Sequence, residues 1–256
     1  MKVEYENHYL TDMDVANFAR LSFAKLAENF SPESNHKLIQ FLARGMKSGD
    51  WDALIDKMLN LDSATQDMQS IDASRKRAHD LAVYIRKIPE HWVPFGHPHI
   101  SLRMEAPVAI ARQLFKHKIG MVESEESRRY ISVEPVLYIP DEFRSSAADK
   151  KQGSGDVHPD SALWKEIYTA ACTSAINIYN DMIGAGIAPE QARFVLPQGV
   201  EVHWALTGSL YAFANLYNQR ADSHAQKESQ MVAEQIDAII APLYPVSWAA
   251  LTKGEY

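Results

Sequence analysis

Lys116, His117, Lys118, Arg128 and Arg129 crowd into FKHKIGMVESEESRRY, residues 115–130, in a chain where 33 Asp and Glu outnumber 26 Lys and Arg. Between the two basic groups lie Ser124, Ser127 and the carboxylates Glu123, Glu125 and Glu126. A guanidinium fork matches phosphate oxygens two at a time, and a serine hydroxyl adds a further donor, so this set can grip a phosphomonoester. Two unit charges about 4 Å apart attract by roughly 4 kcal/mol at an effective dielectric near 20. A bare charge run is usually a solvated surface. The Ser-Arg-Arg-Tyr ending, two residues after Glu125, is what singles this one out.

Three further groups could do chemistry. In NQRADSHAQKE, residues 218–228, a helix would place Arg220, His224 and Glu228 one turn apart on one face. That pattern reads as an ion-pair ladder, because a zinc helix would need a second histidine. Arg193 is a charge inside the apolar segment ARFVLP, free to snorkel outward or to enter a site. His91, His97 and His99 in EHWVPFGHPH lack the spacing of a metal site and read as structural or substrate-contacting histidines. Cys172, beside Tyr168, Ala171 and Ile176 and without a basic neighbour, reads as a packed thiol and not a nucleophile.

The elements that must position these groups follow from periodicity and punctuation. Residues 12–29 and 34–47 read as amphipathic helices separated by Ser31-Pro32-Glu33, and 50–88 as further helical segments with Asp72 and Ser74 as caps. Pro89, Pro94 and Pro98 mark an irregular connection. HISLRMEA alternates apolar and polar residues as a half-buried strand does. APVAIARQLFKHK reads as a helix with Pro107 in its first turn, placing Arg112 and Lys116 on one face. ISVEPVLYIP reads as extended, and 141–160 as a long polar loop. A long helix from Asp160 or Ser161 to Gly184 and Gly186 follows, then a short helix in PEQARFVLP, an extended piece at VEVHWAL and two helices over about 207–241.

The 256 residues carry a formal charge of −7, which argues against a general nucleic-acid binder. No apolar run reaches the roughly 20 residues of a membrane span, and the N-terminus lacks the apolar core of a signal peptide. A lone cysteine leaves no internal disulfide framework and suits a reducing cytoplasm.

Four motifs in order, from about Glu90 to Gln230, resemble the flavin-dependent thymidylate synthases: EHWVPFGH, ARQLFKHKIGMVESEESRRY, ARFVLP and RADSHAQ, with a weaker echo in ARLSF at 19–23. In the second, eight residues separate Lys118 from Ser127, where the family has seven or eight between its Arg-His-Arg triplet and its serine. The resemblance implies an α+β fold, long helices packed on a curved, mainly antiparallel sheet. It implies one domain over 1–256 with a helical insertion at about 48–80. It also implies conversion of dUMP to dTMP with FAD, with NADPH as reductant and methylenetetrahydrofolate as one-carbon donor, in a homotetramer whose active sites are shared between subunits.

Carried over residue by residue, Arg220 would lie against the uracil ring and stabilise negative charge there. Gln113, Lys116, Glu125, Glu126, Ser127, Arg128, Arg129 and Arg193 would hold dUMP, with Ser127, Arg129 and Arg193 on its phosphate. His91, Val93, Lys116, His117, Lys118, Glu125, Ser209 and Asn215 would face the flavin. The chain departs from the family where the triplet reads Lys-His-Lys, where Ser124 and Ser209 replace asparagines, and where Val93 replaces a threonine. Two rivals share the nucleotide grip: a flavin-dependent hydroxymethylase of pyrimidine nucleotides, and a non-catalytic nucleotide-binding homologue.

Overall fold

The computed structural model describes residues 1–21, 23, 25–44, 91–131, 133–147 and 153–253. In chain order the elements are β1 (Lys2–Tyr9), α1 (Asp12–Leu21), α2 (Pro32–Ala43), α3 (Val93–Gly96), β2 (His99–Pro107), α4 (Val108–Leu114), β3 (Met121–Glu125), β4 (Arg144–Ser146), β5 (Ser154–Val157), α5 (Ser161–Gly184), α6 (Pro189–Ala192), β6 (Glu201–Ser209), α7 (Leu210–Arg220), α8 (Lys227–Leu243) and α9 (Pro245–Thr252). The fold is thus a mixture of helix and antiparallel sheet. The helical segments expected over 50–88, with the insertion at about 48–80, lie outside the described residues. The chain divides into two compact units, Met1–His8 with His99–Ile239 and Tyr9–Pro98 with Ile240–Tyr256.

The first unit is organised by a four-stranded sheet in the order β1-β2-β6-β3. β6 pairs antiparallel with β2 from His99↔Ser209 to Pro107↔Glu201, and with β3 from Met121↔Gly208 to Glu125↔Trp204. Side chains alternate across a strand, so one register fixes both faces. Ile100, Leu102, Met104 and Ala106 of β2 are buried with Val202, Trp204 and Leu206 of β6, whereas Arg103, His203 and Ala205 are exposed. The expected strand HISLRMEA is β2, and VEVHWAL lies within β6. β1 was not foreseen: KVEYENHY sets Val3, Tyr5 and Tyr9 on alternate positions, but the segment is largely polar and Val3 alone is buried.

Several expectations need correction. The 141–160 stretch is not all loop: β4 and β5 form an antiparallel hairpin from Arg144↔Val157 to Ser146↔Ser154. The N–H of Phe143 donates to Ser161 Oγ at 2.8 Å, tying the hairpin to the first residue of α5. The helix expected through Lys118 stops at Leu114, and tight bonds from Lys116 N–H to Gln113 O (3.3 Å) and His117 N–H to Leu114 O (3.0 Å) replace it with a turn. Lys116 therefore does not share a helical face with Arg112. The face proposed for Arg220, His224 and Glu228 does not form either. α7 ends at Arg220, the Asp222 carboxylate accepts the His224 N–H at 2.7 Å, and α8 begins only at Lys227. Such side-chain-to-backbone bonds compete with the helix and break it.

In the second unit, α1 ends at Leu21 and not near Asn29. The Asn17 side chain accepts the Ala27 N–H at 2.7 Å and a short 3-10 turn follows. Ser31 caps α2, as its sequence suggested. Buried Asn35 donates to Ala27 O at 2.9 Å and accepts from Arg20 Nε at 3.0 Å. The Asp12 carboxylate receives the N–H groups of Val246 (2.8 Å) and Ser247 (3.0 Å) at the start of α9, where a carboxylate is favoured. Pro94 sits in the first turn of α3, where a missing N–H costs nothing.

Gly199 shows how closely the first unit is packed. The Tyr168 hydroxyl on α5 donates to Tyr138 O at 2.9 Å, and the Tyr138 N–H donates to Gly199 O at 2.9 Å. A Cβ on Gly199 would stand 1.9 Å from that hydroxyl oxygen. Gly199→Ala is expected to lower stability by about 1–3 kcal/mol, the usual cost of overpacking, as read by urea unfolding. Tyr168→Phe in the same chain should recover part of the loss, because the next atom, Cζ, is 3.1 Å away.

Candidate active site

The site in the first unit begins where β6 turns into α7. The Ser209 hydroxyl accepts the Ala212 N–H at 3.2 Å, capping α7, and the Ser209 N–H donates to Gly120 O at 3.1 Å. Two glycines allow this crossing. Gly120 has φ +73°, and a Cβ on Gly208 would come within 2.9 Å of Met121 Cγ and 3.0 Å of Gly120 O. α7 then delivers Arg220 at its last position, where a cation complements the helix dipole.

Arg220 is held on two sides. Its Nε donates to His117 Nε2 at 2.9 Å and its Nη2 to Gln113 O at 3.0 Å, at the end of α4. Burial, helped by the Arg220 charge, pushes the His117 imidazole down to about 4, so it is neutral near pH 7. Because Nε2 accepts, the imidazole proton sits on Nδ1. A guanidinium has five N–H groups, and these two bonds leave both Nη1 protons and one at Nη2 to meet a ligand. Gln113 is itself fixed: Nε2 donates to Gln226 Oε1 at 2.5 Å and Oε1 accepts from Ser229 Oγ at 3.1 Å.

The remaining expected residues divide. Glu125, at the end of β3 opposite Trp204, has its carboxyl pushed up by burial and by neighbouring Glu126, against the pull of Arg112 and Arg193. Arg193 also donates from Nε to Glu190 O at 3.3 Å. The Ser127 hydroxyl accepts from the Arg129 N–H (3.4 Å) and Nε (3.3 Å), so those two stand together. Glu126 is engaged elsewhere: its Oε1 meets His203 Nδ1 at 3.1 Å and accepts the His203 N–H at 3.3 Å. Arg128 donates to Val133 O, and its Nε is buried without a partner. Lys118 pairs with Glu123, Lys116 is exposed, and Asn215 is half-buried on α7. His91 and Val93 belong to the second unit, where the His91 N–H donates to Leu42 O at 3.2 Å and Val93 is 54% exposed.

Sequence reasoning missed Arg144, Gln226 and Ser229, and misread Glu228. Glu228 pairs with Arg144 and accepts from Gln226 Nε2 at 2.8 Å. Arg144, Glu228 and Gln226 line a cavity of about 490 Å³ with Tyr138, Phe143 and Tyr168. These contacts join segments 84 to 116 residues apart, which no local pattern could flag.

Residues 50–246 match the family model described as Thymidylate synthase complementing protein. The chain belongs to that family. Among similar proteins of the family, the flavin-dependent thymidylate synthase of Thermosipho africanus is 32% identical over 168 residues, 65% of this chain and 73% of the relative. That of Streptomyces avermitilis is 31% identical over 205 residues, 75% of this chain and 83% of the relative. The crystal structure of the UMP/dUMP methylase PolB from Streptomyces cacaoi, bound with 5-Br dUMP, superposes with a TM-score of 0.72. It is 26% identical, with 97% of this chain and 93% of that one covered.

In this member of the family the state of His117 sets a pH signature. An unfolded histidine titrates near 6.5, but folded His117 does so near 4. Between those values the unfolded chain takes up a proton that the folded chain refuses. The contribution is therefore whole above about 6.5 and lost as pH falls towards 4. His117→Gln, which keeps an acceptor and does not titrate, is expected to lose less stability than wild type over that window in chemical unfolding. Parallel curves for the two proteins would contradict a buried neutral imidazole.

Proposed function

We propose that the protein is a flavin-dependent thymidylate synthase, a methyltransferase that converts dUMP to dTMP with FAD, with NADPH as reductant and methylenetetrahydrofolate as one-carbon donor. The observation that carries this reading is Arg220, a cation clamped by neutral His117 and Gln113 O with unspent N–H groups. Cys172, the only cysteine, is buried on α5 and burial pushes its thiol up, so activation of the uracil falls to electrostatics. Arg220 would donate to the pyrimidine edge where negative charge develops as C5 becomes nucleophilic. Its two fixed bonds remove the need to reorganise at that moment.

Ser127 and Arg129, already joined, would take the dUMP phosphate with Arg193, and Gln113 and Glu125 would orient the nucleotide; Lys116, Glu126 and Arg128 complete the expected contacts. The donor set suits FAD. Lys116 and Lys118 flank neutral His117, giving an anionic pyrophosphate two cations and one uncharged ring, and the Ser209 hydroxyl keeps its proton for donation after capping α7. His91, Val93, Glu125 and Asn215 would complete that side. Bound FAD would supply reducing equivalents received from NADPH.

Self-association as a homotetramer with shared sites is supported by α5, which leaves Leu163, Trp164, Ile167 and Ile178 46–53% exposed along a helix of 24 residues. The 256 residues are read as one family domain, since the match runs through both compact units. No helix among the described residues is long and apolar enough to cross a membrane. The negative charge argues against nucleic acid as a partner, and a lone cysteine fits a cytoplasmic setting.

The test is a mass spectrum of the nucleotide after incubation of the purified protein with FAD, NADPH, methylenetetrahydrofolate and dUMP. The expected product has the mass of dTMP and is absent when the folate is withheld. A hydroxymethylated product would replace the reaction while keeping the nucleotide grip. Recovery of unchanged dUMP would overturn the assignment as an enzyme.

A further inference from the structure

Gln113 is reached from the β4–β5 hairpin through a directed chain of hydrogen bonds. Arg144 donates from Nη2 to Glu228 Oε1. Gln226 donates from Nε2 to Glu228 Oε2 at 2.8 Å. Gln113 donates from Nε2 to Gln226 Oε1 at 2.5 Å, and Ser229 donates from Oγ to Gln113 Oε1 at 3.1 Å. The hairpin holds the first link, since Arg144 Nε donates to Ser154 Oγ at 2.9 Å. The last link is fully buried Ser229, whose N–H is bonded to Gln226 O at 2.9 Å.

The direction of this chain follows from one charge. An ionised carboxylate only accepts hydrogen bonds. Burial works against the charged form of Glu228, but bonds from its own backbone, Gln226 and Arg144 outweigh it and hold the carboxyl below the ordinary range. Gln226 must therefore turn its amide nitrogen to Glu228, which leaves its oxygen facing Gln113. Gln113 must in turn offer its nitrogen to Gln226 and its oxygen to Ser229. One N–H and one oxygen lone pair of Gln113 remain, and their places are fixed.

A buried ion pair is weak support for stability, because desolvation offsets much of the attraction. The side chains of Arg144 and Glu228 are only 17% and 10% exposed, and their pairing has a geometric consequence that an apolar pair could not supply. We propose that Arg144 and Glu228 are positioning residues, which act through Gln226 to set which way round Gln113 presents its amide to the nucleotide. This rests on the reading of Gln113 as a dUMP-binding residue.

Glu228→Gln tests it with little change of shape. The amide introduced at position 228 can offer its oxygen to Arg144, but its nitrogen then faces Gln226. Gln226 must reverse, and Gln113 with it, so donor and acceptor exchange places before the substrate. The measurement is dUMP affinity by titration calorimetry on the protein purified with its flavin, for wild type, Glu228→Gln, Gln113→Ala and the double variant. The expected result is a loss of about tenfold for Glu228→Gln, equivalent to one modest hydrogen bond, and no further loss when Gln113 is already Ala. Gln226→Met, which keeps the shape but removes the link between Glu228 and Gln113, should show the same dependence on Gln113 and serves if Glu228→Gln does not fold. Unchanged affinity in the folded variants, or an equal loss with and without Gln113, would overturn the relay. Failure of the wild type to bind dUMP would overturn the nucleotide reading itself, and the relay with it.

Discussion

The clamp on Arg220 is the constraint that the rest of the site depends on. A guanidinium at a helix end is mobile unless its N–H groups are occupied, and two of them are spent on His117 Nε2 and Gln113 O. The clamp works because His117 is neutral. A protonated imidazole would present an N–H where an acceptor is needed and would place a second cation beside the first. Burial and the charge of Arg220 together keep that proton away. The interaction therefore maintains its own conditions: the arginine helps to hold its acceptor in the accepting state.

Bringing the two partners together is the task of the sheet. β6 is central, with β2 and β3 paired to its two sides, and both connections that matter leave from its neighbourhood. α4 follows β2 and ends at the carbonyl that Arg220 needs. α7 follows β6 and ends at Arg220 itself. The turn carrying His117 relies on Gly120, which adopts φ +73°, and on Gly208, where a Cβ would stand 2.9 Å from Met121 Cγ and 3.0 Å from Gly120 O. Ending α4 at Leu114 turns the His117 N–H to Leu114 O, so the Gln113 carbonyl keeps only the turn bond from Lys116 N–H and its second lone pair accepts from Arg220.

Some of this was legible in the sequence. HISLRMEA announced β2 because a strand with one buried face must alternate, and the register of β6 against it follows the same rule in VEVHWAL. The order of the four motifs pointed to the family, and Gln113, His117 and Arg220 do come together. β1 was passed over although Val3, Tyr5 and Tyr9 alternate with Lys2, Glu4, Glu6 and His8, because so polar a segment, with Val3 alone buried, carries little apolar signal. The helix through Lys118 and the one through His224 were misread because apolar and polar spacing continues past the point where a tight turn, or the Asp222 side chain, takes over the backbone donors. The chain from Arg144 to Gln113 was invisible, since its members are polar residues that only the fold brings together.

The most direct test of the central claim is the rate of dTMP formation by Arg220→Lys. Lysine keeps the positive charge but has one nitrogen, so it cannot bond His117, Gln113 O and a pyrimidine edge in the geometry of a planar fork. If Arg220 acts as a clamped donor, turnover should fall by about 10²–10³-fold, the usual cost of losing a preorganised donor at developing charge, while dUMP remains bound. Turnover close to wild type in the folded variant would mean that charge alone suffices and that the clamp is not what activates the uracil.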